Sequence, residues 1–291
     1  MSSGERDKGG FSDLFKGAAS VGLLFGALSL DWTKVAPFVS AFGVELNKDL
    51  EIGVSSEENS VSLGTRGEGQ DFVHRVARFM ESDGVSEGDL KQFLVRAAFT
   101  NYQNVFFSME VFAEKPSRFN YVLRSNQPLD VGAAMLVDAD VDAEGLAFFR
   151  DASRTLEKEQ IHAFLGAYTR DGVGVQAPIF SQPSELESWV RWKRFLDAGG
   201  LEISPAELEV FQRLTTKGFM AGPCYDSASN SPGALCFLSD VEPKDLETMG
   251  FDSATLERVE TLLRVSGRRR LSRLEWKVSG PGDSSIRFYC G

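Results

Sequence analysis

The chain has 291 residues, 42% of them apolar and 25% charged, a composition that excludes a disordered tail protein, a collagen-like chain and a coiled coil. Lys and Arg number 31 against 42 Asp and Glu, and the net charge of −11 argues against a general nucleic-acid or anionic-membrane surface while leaving room for a local basic pocket. The three cysteines (Cys224, Cys236, Cys290) form no CxxC pair or zinc spacing, and their odd number argues against a disulfide framework; a reducing, cytoplasmic setting is expected.

In chain order, residues 1–12 read as a loose mixed-charge tail and 13–291 as one domain. The apolar run Gly17–Leu30 is too short to span a bilayer and lacks a clean cleavage site, so it is expected to form the first packed helix. Five segments then read as two alternating strands around a turn signal: Leu50–Arg66, Val105–Ser125, Ile161–Phe180, Phe219–Ser239 and Leu274–Cys290, with starts about 55 residues apart. Helical patterns lie between them. Gln70–Ser82 carries Phe72, Val76, Phe79 and Met80 on one stripe, and Ser86 caps a helix bearing Leu90, Phe93, Leu94 and Ala97. Ser204-Pro205-Ala206-Glu207 reads as a capping box with proline at the first helical position, and Ser253–Val265 presents Leu256, Val259 and Leu263. Arg268-Arg269-Arg270 reads as a basic cluster complementing the dipole at that helix's C-terminus.

Strand alternation separates two faces. Hairpin one puts Ile52, Val54, Val61 and Leu63 opposite Glu51, Gly53, Ser62, Gly64 and Arg66. Hairpin two puts Phe107, Met109, Val111, Phe119, Tyr121 and Leu123 opposite Ser108, Glu110, Asn120, Val122 and Arg124. Hairpin three is read with Ala163, Leu165, Val173 and Val175 on the apolar face, against His162, Phe164, Tyr168, Gln176 and Phe180. Hairpin five sets Leu274, Trp276, Val278, Ile286 and Phe288 against Arg273, Glu275, Lys277, Arg287 and Tyr289. The expected fold is therefore α/β: a ten-stranded antiparallel barrel ringed by helices, in five αββα repeats, with the mixed face pointing into the lumen. The alternative is an open sheet whose polar face lies in water. The repeat number and the aromatics on the mixed face favour closure.

Several cations from separate strands suit a multiply charged anion, arginine especially so for bidentate phosphate contacts. Ring faces beside them shelter a carbocation through the aromatic quadrupole. A carboxylate opposite orients or deprotonates an acceptor. Together these describe transfer of an allyl group from its diphosphate. Singly, each residue reads more simply as a solvated strand side chain.

With this repeat, the segments DLEIGVSSEENSVSLGTR (Asp49–Arg66), SRFNYVLRSNQPLD (Ser117–Asp130), the RDG turn at Arg170 and SSIRFYCG (Ser284–Gly291) resemble the aromatic prenyltransferases, whose prenyltransferase barrel has this organisation. Within them the cyanobactin-type peptide prenyltransferases are most similar, from about Trp32 onward. The resemblance implies Glu51 as the acid engaging the acceptor, Arg66, Arg124 and Arg287 in the diphosphate site, and Tyr289 shielding the allyl cation. It implies dimethylallyl diphosphate as donor, Mg²⁺ bound through the diphosphate, and a peptide or small aromatic acceptor. From the mixed face, Lys277 is added to the diphosphate set and Tyr168 to the allyl pocket. The chain departs from the family pattern at Asn120, where relatives place Lys, and at Gln176 and Ala234 or Cys236. These departures keep open a non-catalytic barrel that binds a peptide or lipid. A guanidine-modifying hydrolase is a third reading, with Cys290 as nucleophile and His162 as its partner; Cys290 falls on the outer face, which argues against it.

Overall fold

The computed structural model describes residues 22–46, 49–56, 59–169, 172–176, 220–227, 231–280 and 283–291, with isolated positions at 190, 193, 205, 206 and 209. The expected tail, the capping box at Ser204 and the side chains of His162, Gln176 and Phe180 lie outside the described residues.

Each of the five alternating segments forms a hairpin. The strands are β1 (Glu51–Ser55) with β2 (Ser60–Gly67), β3 (Val105–Phe112) with β4 (Arg118–Pro128), and β5 (Gln160–Thr169) with β6 (Gly172–Gln176); then β7 (Met220–Asp226) with β8 (Ser231–Val241), and β9 (Leu271–Gly280) with β10 (Asp283–Cys290). They join one antiparallel sheet in the order β6-β5-β4-β3-β2-β1-β10-β9-β8-β7. The first and last hairpins meet through β1 and β10, with Gly53 opposite Tyr289. At the other end of the order β6 lies beside β7, so the sheet curls until its two edges approach.

After a helical stretch at 22–27, inside the run expected to form the first helix, and a 3-10 turn at Trp32–Lys34, the helices that follow are α1 (Ala36–Leu46), α2 (Gln70–Ser82), α3 (Glu87–Phe99), α4 (Leu129–Asp138), α5 (Ala143–Thr155), α6 (Pro243–Thr248) and α7 (Ser253–Ser266). Local chemistry starts them. Ser86, Asp142 and Asp252 accept hydrogen bonds from the backbone N–H three residues on, and Glu242 with Asp245 forms a capping box ahead of α6. The basic run after α7 is partly absorbed by strand and helix acids, Arg270 reaching Asp240 at 2.8 Å and Glu242 at 2.7 Å. None of the helices of the described residues is long and apolar enough to cross a membrane.

The helices cover the apolar strand faces. Phe38 and Phe42 of α1 and Phe79 of α2 pack against Phe107 of β3, and Phe79 also meets Phe119 of β4, with ring centroids 5.5–6.2 Å apart. The main core runs on through Ile52, Val54, Leu63, Tyr121, Leu274, Trp276 and Phe288. The opposite faces of the same strands carry Glu51 and Glu110, which are only 7% and 2% exposed, so the charged face is enclosed. A second apolar cluster sits on that inner face, where Val122, Ala163 and Leu165 from β4 and β5 group with Cys224, Leu235 and Phe237 from β7 and β8.

Strand β5 is inverted relative to the alternation reading, whereas the register of β6 keeps it, with Val173 opposite Tyr168 and Gln176 opposite Leu165. Arg124 pairs with Ala163 and Val122 with Leu165. Because Arg124 and Val122 face the lumen, Ala163 and Leu165 must as well, since paired residues share a side of the pleat. Phe164 and Tyr168 therefore point outward, into the helix layer. Arg96 of α3 lies over the Phe164 ring at 5.5 Å, while Tyr168 stacks on Tyr121 at 5.5 Å and its hydroxyl donates to the Asp89 carbonyl of α3. The place of Tyr168 in an allyl pocket is thus corrected: it is a strand-to-helix anchor. Ala234 and Cys236 also belong to the outer core. The inward positions of hairpin four are Leu235 and Phe237.

Candidate active site

Three carboxylates and a larger set of cations line the inner face from β2 through β1 and β10 to β9, with β3 and β4 on the far side of β2. Glu51 starts β1, and its Oε1 accepts a 2.5 Å hydrogen bond from Arg273 Nη2 on β9. Burial pushes the Glu51 carboxyl above its ordinary range, against the opposing pull of Arg273 and Arg66. A carboxylate of raised proton affinity suits a general base.

Arg273 occupies an aromatic cage. Its guanidinium lies 4.2 Å from the ring centre of Tyr289 on β10, 5.3 Å from Phe106 on β3 and 5.5 Å from Phe237 on β8. Two glycines let those rings approach the sheet. A Cβ at Gly53 would stand 2.6 Å from the Tyr289 ring, and one at Gly64 would stand 2.4 Å from the Phe106 ring. The inward, aromatic position expected for Tyr289 is what the structure shows, whereas Phe106, Phe237 and the central position of Arg273 were missed. Phe106 stands two positions before Ser108, so its inward facing follows from the alternation of β3, whereas Phe237 falls in an apolar run where alternation marks neither face. Arg273 was legible as an inward cation, but the cage forms only across non-neighbouring strands.

The other cations differ in how far they are committed. Arg287 bridges Glu110 at 3.2 Å and Glu275 at 3.3 Å; burial disfavours its charge, yet these carboxylates turn its pKa upward. Glu110 also takes Arg118 at 3.5 Å and the Ser60 hydroxyl at 2.9 Å. Arg287 therefore organises the carboxylates of the lumen and meets a diphosphate only in competition with them. Lys277 stands on the same face, two positions beyond Glu275. Arg66 is partly exposed; its Nε lies 3.4 Å from Asp49 without hydrogen-bond geometry, and its guanidinium faces the Phe106 ring at 6.0 Å. Arg124 has neither ion pair nor side-chain hydrogen bond among the described residues. Burial, then the like charges of Arg66 and Arg273, lower its pKa. An unpaired, half-buried guanidinium beside two like charges suits an anion. Asn120 occupies the inner face of β4 where the resemblance expected Lys, opposite Ser108.

Mg²⁺ finds no ligand set of its own here. Among the described residues no three His, Cys, Asp or Glu side chains group to hold a metal ion, and Glu51, Glu110 and Glu275 are each paired with arginine. Cys290 does not suit a nucleophile. It is buried in the outer core, and that burial pushes its thiol pKa up, opposite to the activation such a role requires.

No protein-family model and no curated protein matches the chain in sequence. Solved structures match it in fold. The apo form of the prenyltransferase PriB is 14% identical with a TM-score of 0.61, over 96% of this chain and 95% of that one. AnaPT from Neosartorya fischeri is 8% identical with a TM-score of 0.63, over 98% and 94%. The 6-dimethylallyltryptophan synthase from Micromonospora olivasterospora, solved with DMASPP and Trp, is 12% identical with a TM-score of 0.63, over 96% of each chain. PriB has also been solved with L-tryptophan and dimethylallyl thiolodiphosphate, and with product diphosphate. The chain thus shares the fold of aromatic prenyltransferases.

Proposed function

We propose that this chain is a prenyltransferase that moves a dimethylallyl or longer isoprenyl group from its diphosphate to an aromatic acceptor, a peptide side chain or a smaller aromatic molecule. The sheet is then a closed prenyltransferase barrel of five αββα units. The observation that carries this reading is the set Arg66, Arg124 and Arg273 converging beside a buried carboxylate and three ring faces. The diphosphate lies among those arginines, with Lys277 and Arg287 further along the wall. As the allylic C–O bond breaks, its electron pair leaves on the diphosphate, whose growing charge the guanidinium groups meet. Tyr289, Phe106 and Phe237 present ring faces to the allyl cation without a nucleophile to trap it. The acceptor's π electrons form the new bond, and its displaced proton passes to Glu51. Mg²⁺, where present, enters as a counter-ion of the diphosphate, and no step depends on it.

The reading is supported by the shared fold and the chemistry of the lumen. Incubation with dimethylallyl diphosphate and a panel of tryptophan, tyrosine and peptides containing them tests it by mass spectrometry. A gain of one isoprene unit is expected. The engagement of Glu51 by Arg273 and the Asn120 departure favour one rival, a binding barrel without turnover. That rival takes over if panel members bind and none gains mass.

A further inference from the structure

One guanidinium holds two places that the proposed reaction needs empty. Arg273 caps the Glu51 carboxylate, and it fills the cage of Tyr289, Phe106 and Phe237. Its Nε is nevertheless buried without a hydrogen-bond partner, as is that of Arg66, so each keeps an unused donor, and both charges act on Arg124. A guanidinium has five N–H donors and matches a phosphate edge as well as a carboxylate.

We infer that Arg273 couples the donor to the base: the incoming diphosphate takes over its guanidinium, and this one displacement frees Glu51 for the acceptor's proton and opens the ring cage to the allyl group. The inference rests on reading the lumen as a diphosphate site. The chain's own cation keeps the cage filled and the carboxylate neutralised until a donor arrives. The donor thereby creates the pocket for its own hydrocarbon end and must bind before the acceptor. Neither Arg66 nor Arg124 can serve in this way, because neither touches Glu51 by hydrogen bond and neither lies over Tyr289.

Inorganic pyrophosphate, titrated calorimetrically into the full chain and its variants, tests this. Glu51 competes with the anion for Arg273, so Glu51→Gln is expected to tighten pyrophosphate binding roughly tenfold, the size of one charge-assisted contact. A through-space charge effect would do something similar, and a double-mutant cycle separates the two. In an Arg273→Gln background the Glu51→Gln gain should vanish, whereas a through-space effect would persist. Crystals of the unmodified chain soaked in pyrophosphate provide a reading independent of the variants' folding. Arg273 is expected on the anion and off both Glu51 and the rings. Pyrophosphate bound with Arg273 still on Glu51, or a tightening that survives in the Arg273→Gln background, overturns the inference and leaves the proposed function standing. No pyrophosphate binding by the unmodified chain overturns both.

Discussion

Glu51 is the residue whose environment most directly predicts behaviour. Its carboxyl pKa is raised by burial, and as the proposed base it must be ionised to take a proton from the acceptor. Protonation as pH falls through that raised value removes the base, so turnover should fail on the acid side at a pH above that of an ordinary glutamate. Rate profiles of the unmodified chain should show this limb. Glu51→Gln should lose it and lower turnover roughly a hundredfold or more, the usual share of a general base. Gly64 makes a separate case. Alanine there drives a Cβ into the Phe106 ring, and overpacking of this kind costs about 1–3 kcal/mol. Turnover of Gly64→Ala should fall with displacement of a cage ring, while circular dichroism shows the folded chain retained; an unchanged rate would mean that Phe106 does not shield the cation. The inward charge of Glu51, Arg66, Arg124 and Arg287 was legible from alternation, because their strands have one clearly apolar face. The partners of those charges were not, since ion pairs such as Glu110 with Arg287 join residues far apart in the chain.

At the scale of the element, hairpin three shows where pattern reading stops. Both faces of β5 carry apolar side chains, so period-two alternation has no polar face to orient it. Pairing with β4 settles the matter, and it passes through a register shift between Arg124 and Gln127. The consequence is testable. Tyr168 anchors β5 to α3 by one hydrogen bond to Asp89, so Tyr168→Phe should lower unfolding stability by about 1 kcal/mol in urea and leave prenyl transfer untouched. A large loss of transfer at unchanged stability would put Tyr168 back at the site. The helices were easier to read. Gln70–Ser82 and the Ser86 cap stand where amphipathic spacing and side-chain capping put them, since both signals lie within one or two turns of chain.

For the whole molecule the distribution of charge matters more than its sum. A chain of net charge −11 sets Arg66, Arg118, Arg124, Arg273, Lys277 and Arg287 on one sheet face with Glu51, Glu110 and Glu275. The surplus on that face is positive, and its more buried members, Arg273 and Arg287, stand where bulk water screens them least. The proposed transfer should therefore keep most of its rate in EDTA, since guanidinium groups supply the charge a metal ion would. Complete loss on chelation, restored by Mg²⁺, would show that the arginine set is insufficient. The inner face also grades in character, with charge on β1–β3, β9, β10 and the Arg118 and Arg124 positions of β4, and an apolar cluster where Val122 of β4 meets β5, β7 and β8. By itself the amino-acid order determined the hairpins, their spacing, the helix starts and which face of three hairpins is charged, because propensity, capping and alternation act over a few residues. Only the tertiary structure decided the facing of β5, the commitment of Arg287 to two carboxylates and the seating of Arg273 among three rings. Those depend on the register and curvature of the whole sheet, which bring β3, β8 and β10 around one guanidinium across long stretches of chain.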